Sequence, residues 1–367
     1  MIIVFRVDAS IAMGTGHVMR CLTLADEFKK NYAVHVLFIS RAHQGYLADY
    51  IQDKGFELKL LPSPVPGFQP SPEDVAHAKW LNVPWRLDAE ETINIIASLK
   101  PDWLVVDHYS LDARWHSLLR PYVNRILVID DLADRKLDCD ILLDQTYGRE
   151  KKDYRNLVNK NCRTLLGSRF ALLRPEFVEL RAQAIIKRKY FNGINRILVT
   201  MGGTDSKNLT SKILDSLAQI NWSTNPYIDV VMGGHSPYLK VIQKMINNYP
   251  LNISISIDVS DMAVRMLKAD LAIGAGGSTA WERCCLGLPT LAFCLAENQK
   301  LILQEIDKIG GLINLGKPTQ DTDRKIKQTF HSLDKSKEII SNISDQCITL
   351  VDGAGVSRVV KEISNSL

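Results

Sequence analysis

Two glycine-rich turns, one near each end of the chain, carry residue types from which a reaction on a phosphorylated ligand could be built. Ala275-Gly276-Gly277-Ser278-Thr279-Ala280-Trp281-Glu282 follows the apolar run Leu271-Ala272-Ile273 and opens a helical pattern. A strand, then small residues, then a helix start makes an anion site: glycine lets a phosphate approach the backbone, and the unpaired N–H groups of the first turn point at it. Gly276, Gly277, Ser278 and Thr279 are the expected diphosphate contacts. Glu282, one turn on, is placed to accept hydrogen bonds from a ribose diol. The same Thr279-x-x-Glu282 spacing also fits a capping box, in which the carboxylate returns to the Thr279 amide.

Near the other end, Gly14-Thr15-Gly16-His17 lies between the first strand and the first helix. The positive end of the helix dipole disfavours protonation of His17, and a neutral imidazole can take a proton from water near pH 7. The alternative is a helix-start histidine bonded to a neighbouring carbonyl. Gly14 and Gly16 lack the third glycine of a dinucleotide turn and are followed by bulky Val18 and Met19, which argues against a nicotinamide site.

Three more turns belong with these. Glu297-Asn298-Gln299 offers amides that satisfy sugar hydroxyl or acetamide groups without adding charge, or simply caps a helix. Gly202-Gly203-Thr204-Asp205 follows a strand and would reach the same ligand, with Asp205 a rival helix cap. Val106-Asp107-His108-Tyr109 closes another strand, and Asp107 with His108 reads as a relay pair unless one of them fixes the loop. No spacing of Asp, Glu, His or Cys matches a metal site, and neither a Gly-x-Ser-x-Gly elbow nor a Walker loop occurs, so no metal or cofactor is expected.

Positioning these turns falls to an alternation of apolar strands and amphipathic helices. The expected strands of the first half are Ile2–Val7, Val34–Ser40, Phe56–Leu61, Trp103–Asp107, Ile126–Asp130 and Ile141–Leu143; those of the second are Arg196–Thr200, Tyr227–Met232, Ile253–Val259, Asp270–Ile273, Leu288–Cys294 and Leu312–Leu315. Val18, Cys21, Leu22, Ala25 and Phe28 share one helical face after the first strand. Ser260 is the expected cap of a short helix and Gly287 the expected end of another. Pro62, Pro64, Pro66, Gly67, Pro70 and Pro72 interrupt the rhythm as a surface loop, either a connector or a substrate rim. With 367 residues the chain exceeds one ordinary core,. The polar, basic stretch around 182–195 divides it. The expected domains are 1–185 with the histidine turn, 186–345 with the nucleotide turns, and a terminal helix in 346–367 of the kind that crosses back to the first domain.

Composition excludes several classes. The balance of 45 basic against 41 acidic residues gives +4, with no basic stripe for a nucleic acid,. No apolar run is long enough to span a membrane, and the short run Met1–Phe5 reads as a strand, not a leader. Basic pieces such as Lys335-Ser336-Lys337 are solvated faces. Seven cysteines without framework spacing fit free thiols in a reducing cytoplasm,.

Arg6-Val7-Asp8-Ala9-Ser10, Gly14-Thr15-Gly16-His17-Val18-Met19-Arg20-Cys21-Leu22, Val106-Asp107-His108-Tyr109, Met201-Gly202-Gly203-Thr204-Asp205 and Gly276–Glu282 occur in an order that resembles the UDP-2,4-diacetamido-2,4,6-trideoxy-β-L-altropyranose hydrolases of pseudaminic acid biosynthesis. That family is similar in architecture to MurG-type glycosyltransferases. The resemblance implies an α/β GT-B fold of two Rossmann-like, doubly wound domains facing across a cleft. It implies metal-free hydrolysis at C1 with inversion, releasing UDP and 2,4-diacetamido-2,4,6-trideoxy-L-altrose, a nonulosonic acid precursor. By the resemblance His17 is the catalytic histidine, and Tyr109 and Asn298 match active-site positions. Gly277, Ser278 and Glu282 match the UDP-binding helix start. Asp8, Gly14, Gly16, Gly202, Gly203, Thr204, Gly276, Thr279, Glu297 and Gln299 complete the expected substrate contacts. The small Gly-Gly-Ser run looks closer to the glycosyltransferase version of that turn. The expected partner is a UDP-sugar, with neither nucleic acid nor membrane; a monomer is compatible with this. A transferase of the same fold and a non-catalytic nucleotide-sugar module are the rival readings.

Overall fold

The computed structural model describes residues 1–64, 67–222, 224–334 and 336–365; Pro66 of the proline-rich loop and Lys335 of the basic piece lie outside them. The chain forms two compact units, one of Met1–Leu172 with the segment from Ala354 onward, the other of Leu173–Gly353.

The first unit is built on seven parallel strands: β1 (Ile2–Val7), β2 (His35–Arg41), β3 (Glu57–Leu61), β4 (Trp103–Asp107), β5 (Arg125–Ile129), β6 (Ile141–Asp144) and β7 (Arg163–Leu166). Their order is β3-β2-β1-β4-β5-β6-β7. Both faces are covered, which is why the central strands are mainly apolar, with Arg6 of β1 a buried exception,. Ile3, Phe5 and Val7 pack with Val18, Cys21, Leu22, Ala25 and Phe28 of the helix Gly16–Asn31. Val4, Leu104 and Val106 pack on the opposite face with Trp115 and Leu119. The last helix, Gly355–Ser364, puts Val356, Val359, Val360 and Ile363 into the first of these cores. Gly355 is pressed against residue 171: a β-carbon there would stand 2.2 Å from the Ala171 carbonyl.

The second unit has six parallel strands: β8 (Arg196–Thr200), β9 (Tyr227–Met232), β10 (Asn252–Ile257), β11 (Leu271–Ala275), β12 (Thr290–Phe293) and β13 (Ile313–Gly316), in the order β10-β9-β8-β11-β12-β13. In each sheet the winding reverses at one place, between β1 and β4 and between β8 and β11. Ligand crevices of doubly wound sheets open beyond the carboxyl ends of the strands at such reversals.

Three local expectations change. Strand β7 has only two apolar residues, Leu165 and Leu166, too few to register as a run. The basic stretch 182–195 is largely a helix, Pro175–Lys189, and it belongs to the second unit. Its cations face inward onto helix ends: Arg181 donates to the carbonyls of Cys285 and Ile348, and Arg188 to those of Met266, Ala269 and Leu286. Carbonyls at helix C-termini carry the negative end of the dipole, so such cations are at home there. Ser260 does not cap the helix Met262–Lys268; Asp261 precedes it, with no side-chain bond to its amides. Gly287 ends the helix Thr279–Cys285 at φ +56°, as expected of a glycine stop,. All seven cysteines are free thiols, and among the described residues no helix is long and apolar enough to cross a membrane.

Candidate functional site

At the reversal of the first sheet, β1 runs into Asp8 and β4 ends in Asp107. Between β1 and the helix Gly16–Asn31 the chain makes a tight turn: Gly14, at φ +77°, donates its N–H to the Ser10 carbonyl at 2.7 Å, and the Met13 N–H reaches Ser10 Oγ. No side chain caps the helix that follows. His17, its second residue, projects from that first turn with Nδ1 2.6 Å from Asp107 Oδ1. A carboxylate can only accept here, so this bond assigns the proton to Nδ1 and leaves a lone pair on Nε2, for which the described residues provide no partner.

Asp107 is fully buried and doubly held by Arg20, whose Nε and Nη2 each lie 2.6 Å from a carboxylate oxygen. Burial alone would raise this carboxyl, but the Arg20 charge, then His17, outweigh it and hold Asp107 far below the usual carboxylate range. Arg20 follows His17 by three residues, so both side chains leave one helical face. Its Nη1 continues to Asp131 at 3.1 Å, and Asp131 accepts from the Tyr109 hydroxyl. Burial, then the Asp131 charge, push that hydroxyl well above its ordinary range, so it remains a donor. The Tyr109 ring stands edge-on to His17 at 4.7 Å between centroids. Half-buried Trp80 and His77 extend the aromatic wall, with Trp80 6.2 Å from His17 and 5.4 Å from Tyr109.

The hydrogen-bonded pair is therefore Asp107 with His17, not Asp107 with His108. Successive strand residues point to opposite faces, and His108 Nε2 approaches Asp8 at 3.3 Å, its Nδ1 accepting the Ser110 N–H. Asp8 is buried beneath the turn. It takes two bonds from Arg6 and one from the Arg41 N–H, while Arg6 and Arg41 also share Asp88. Burial works to raise Asp8, yet Arg6 prevails and keeps it ionised well below the usual range. With both oxygens enclosed by Arg6, Ser40, Arg41 and His108, Asp8 ties together the ends of β1, β2 and β4 and has no surface to offer a ligand, against the contact expected of it.

In the second unit both turns of interest leave the strands that flank the reversal. After β8, Gly202 takes φ +83° and exposed Gly203 receives the Gly233 N–H on its carbonyl. Thr204 follows, half-buried. Asp205 then accepts the N–H groups of Leu209 and Thr210, each at 2.9 Å, and fills the start of the helix Leu209–Ala218. After β11 the arrangement differs. Gly276 is closed in by Leu303, Gly277 is open with Gln299 Nε2 alongside, and Ser278 leads into the helix Thr279–Cys285, to which no side chain donates a cap. The capping-box alternative for Glu282 is not what forms: the carboxylate turns to Arg174 Nη2 at 3.2 Å. Burial raises Glu282 despite Arg174. Asn298 immediately precedes the helix Gln299–Lys308. Gln299 Oε1 accepts the Leu295 N–H, and exposed Glu297 pairs with Lys317 and Lys300, away from the glycines.

The structure thus gathers His17 and Tyr109 in one unit, and Gly276, Gly277, Ser278, Thr279, Glu282 and Gln299 in the other. Arg20, Asp131, Trp80 and Arg174 are additions that the motifs did not single out. The three-residue spacing of His17 and Arg20, and the Asp130-Asp131 pair after an apolar strand, were available signals; Trp80 had none. Among the described residues no three His, Cys, Asp or Glu side chains are grouped to hold a metal.

No protein-family model matches the chain. It is 28% identical, over 81% of its length and 93% of the relative's, to the UDP-2,4-diacetamido-2,4,6-trideoxy-beta-L-altropyranose hydrolase of Campylobacter jejuni. It is 25% identical over 80% of its length to an uncharacterized protein of Methanocaldococcus jannaschii, and spans about half of that relative (55%). Among solved structures, Acinetobacter baumannii MurG superposes with a TM-score of 0.68 at 15% identity, covering 99% of both chains. The fold is GT-B, and the resemblance carried by the motifs is borne out.

Proposed function

We propose that the chain hydrolyses a UDP-sugar at C1, with UDP-2,4-diacetamido-2,4,6-trideoxy-β-L-altropyranose as the substrate. The observation that carries this reading is the 2.6 Å bond from His17 Nδ1 to a buried, arginine-held carboxylate, with no partner for Nε2 among the described residues. In a general base the fixed carboxylate selects the tautomer and steadies the imidazolium that forms. Water gives its proton to His17 Nε2 as its oxygen bonds to C1. The C1–O bond breaks, and its electron pair leaves with the β-phosphate of UDP. The amides of Gly277, Ser278 and Thr279 receive the charge that develops on the diphosphate, the kind of stabilisation worth about 3 kcal/mol per donor; the Gly276 N–H is held by the Phe293 carbonyl. A diphosphate is a good leaving group, so a second carboxylate acting as acid, as in a glycosidase, is not required. Similarity to the Campylobacter enzyme supports the choice of sugar, and the free thiols suit a reducing cytoplasm,.

Turnover in ¹⁸O-water tests the proposal. Label in the released sugar, with UDP unlabelled, is expected; label in UDP would place attack at phosphorus and remove the role given to His17. Because water is the sole acceptor in that assay, absence of UDP release would favour a transferase or a binding module.

A further inference from the structure

Arg283 is an anomaly of charge. It is 1% exposed, and its guanidinium lies under the turn that joins β11 to the helix Thr279–Cys285. Nη2 donates to the Ala275 carbonyl at 2.7 Å and Nη1 to Thr279 Oγ1 at 3.2 Å, so the fork grips both ends of Gly276-Gly277-Ser278. Nε has no partner. Among the described residues no carboxylate forms an ion pair with it; Glu282, its neighbour in sequence, is turned to Arg174. A buried charge without a counter-charge is costly.

Arg188 shows what a settled buried arginine looks like in the same unit. All three of its nitrogens donate to carbonyls in the Met266–Ala269 and Leu286 helix-end segments, where the dipole is negative,. Arg283 is placed the opposite way. A helical side chain leans toward its own N-terminus, so its charge sits beneath the amides of Gly277, Ser278 and Thr279, for which the described residues give no partner, while those of Ala280 and Trp281 donate to the Gly277 and Ser278 carbonyls. Room for the arrangement comes from β11 itself: a β-carbon on Gly274 would stand 2.6 Å from Arg283 Nη1. The turn thus sets a buried cation beneath the amides of Gly277, Ser278 and Thr279, with Gly277 open above it.

We propose that Arg283 is the positioning residue of a diphosphate site. It fixes the Gly276–Ser278 turn from beneath, and its charge is balanced when the diphosphate of the nucleotide settles on that turn. This rests on the nucleotide-sugar reading above. Burial works against the charged guanidinium.

Affinities for uridine, UMP and UDP, measured by calorimetry on the full chain and on Arg283→Met and Arg283→Lys, test the inference. The Met variant is expected to lose about tenfold or more in UDP affinity and less for UMP, with uridine within about twofold; the Lys variant, which keeps the charge, recovers most of the UDP affinity. Equal losses for uridine and UDP, or a Lys variant as poor as Met, would make Arg283 a packing residue and overturn the inference alone. UDP affinity unchanged in the Met variant would do the same. If the Met variant does not fold, Arg283→Lys decides: a UDP-over-uridine preference close to wild type supports the charge, and its loss refutes it. A wild-type chain that binds UDP no better than uridine would overturn both this inference and the proposed function.

Discussion

Asp107→Asn isolates the role assigned to the buried carboxylate. The substitution preserves shape and removes one charge. An asparagine amide can present an N–H to His17 Nδ1, which would drive the ring proton to Nε2 and abolish the base. Loss of the correct tautomer in a His–carboxylate pair costs about 10⁴ in kcat in the best-studied case, so a fall of roughly 10³–10⁴ is expected here, with KM within about threefold because Asp107 is 0% exposed. Stability falls as well. Arg20, 7% exposed at its side chain, would keep only Asp131 as an anionic partner. Breaking a buried pair costs about 3–5 kcal/mol; with one partner retained, the lower end applies. For a unit of this size, about 3 kcal/mol corresponds to a midpoint lower by roughly 6–12 °C. The assay is UDP release at saturating and limiting substrate, on protein shown to be folded by circular dichroism at the assay temperature. A folded Asp107→Asn enzyme within tenfold of wild-type kcat would refute the orienting role of Asp107 and, with it, the base role of His17.

His17→Ala should remove at least about 10³ of kcat while UDP affinity stays within about threefold, the signature of a group acting on the reacting atoms; matched losses would mean a structural histidine. Glu282→Ala should weaken UDP more than 2′-deoxy-UDP in direct titration, since a ribose diol is the partner proposed for that carboxylate; equal weakening would return Glu282 to an anchor for Arg174. Asp144 is raised to about 6, chiefly by burial, with Arg149 opposing and Asp131 adding to the rise. The native state therefore holds this proton where the unfolded chain, near 4, has released it. Its contribution is intact below about pH 4 and is lost as pH rises through 6, a decline of up to roughly 3 kcal/mol. Urea midpoints between pH 4.5 and 7 should decline less steeply with rising pH in Asp144→Asn than in wild type. Asp205→Ala should cost about 1–2 kcal/mol through loss of a helix cap and leave UDP affinity unchanged in titration; a tenfold loss of UDP binding would put Asp205 at the ligand.

The strands that position the site were legible because parallel strands covered on both faces leave mainly apolar runs, with single polar interruptions such as Arg6 and Asp229,. Trp103–Asp107, Arg196–Thr200 and Tyr227–Met232 have the limits expected of them. Legibility failed where the environment, not the local pattern, decides. Strand β7 sits at a sheet edge with exposed Arg163. The helix Pro175–Lys189 carries basic residues that resemble a solvated linker until the helix ends they meet are known. Glycine turns could be found as turns, but spacing cannot show which helix start is already filled. Asp205 supplies the carboxylate of its own helix, whereas the helix Thr279–Cys285 has no side-chain cap.

The same limit governs the charges around His17. A titratable residue in a turn is visible in one dimension; its partner is set by strand order. Asp107 is adjacent to His108 in sequence and 90 residues from His17, yet the pleat separates the first pair and the neighbouring of β1 and β4 joins the second. That neighbouring exists only because the winding reverses there, which brings the helix after β1 over the end of β4. Asp131, from the segment after β5, enters the same cluster one strand further on, and Arg20 ties the two acids together. A histidine at a helix start becomes a candidate base through topology: the reversal supplies the carboxylate, and the turn of helix from His17 to Arg20 supplies the cation that keeps it ionised.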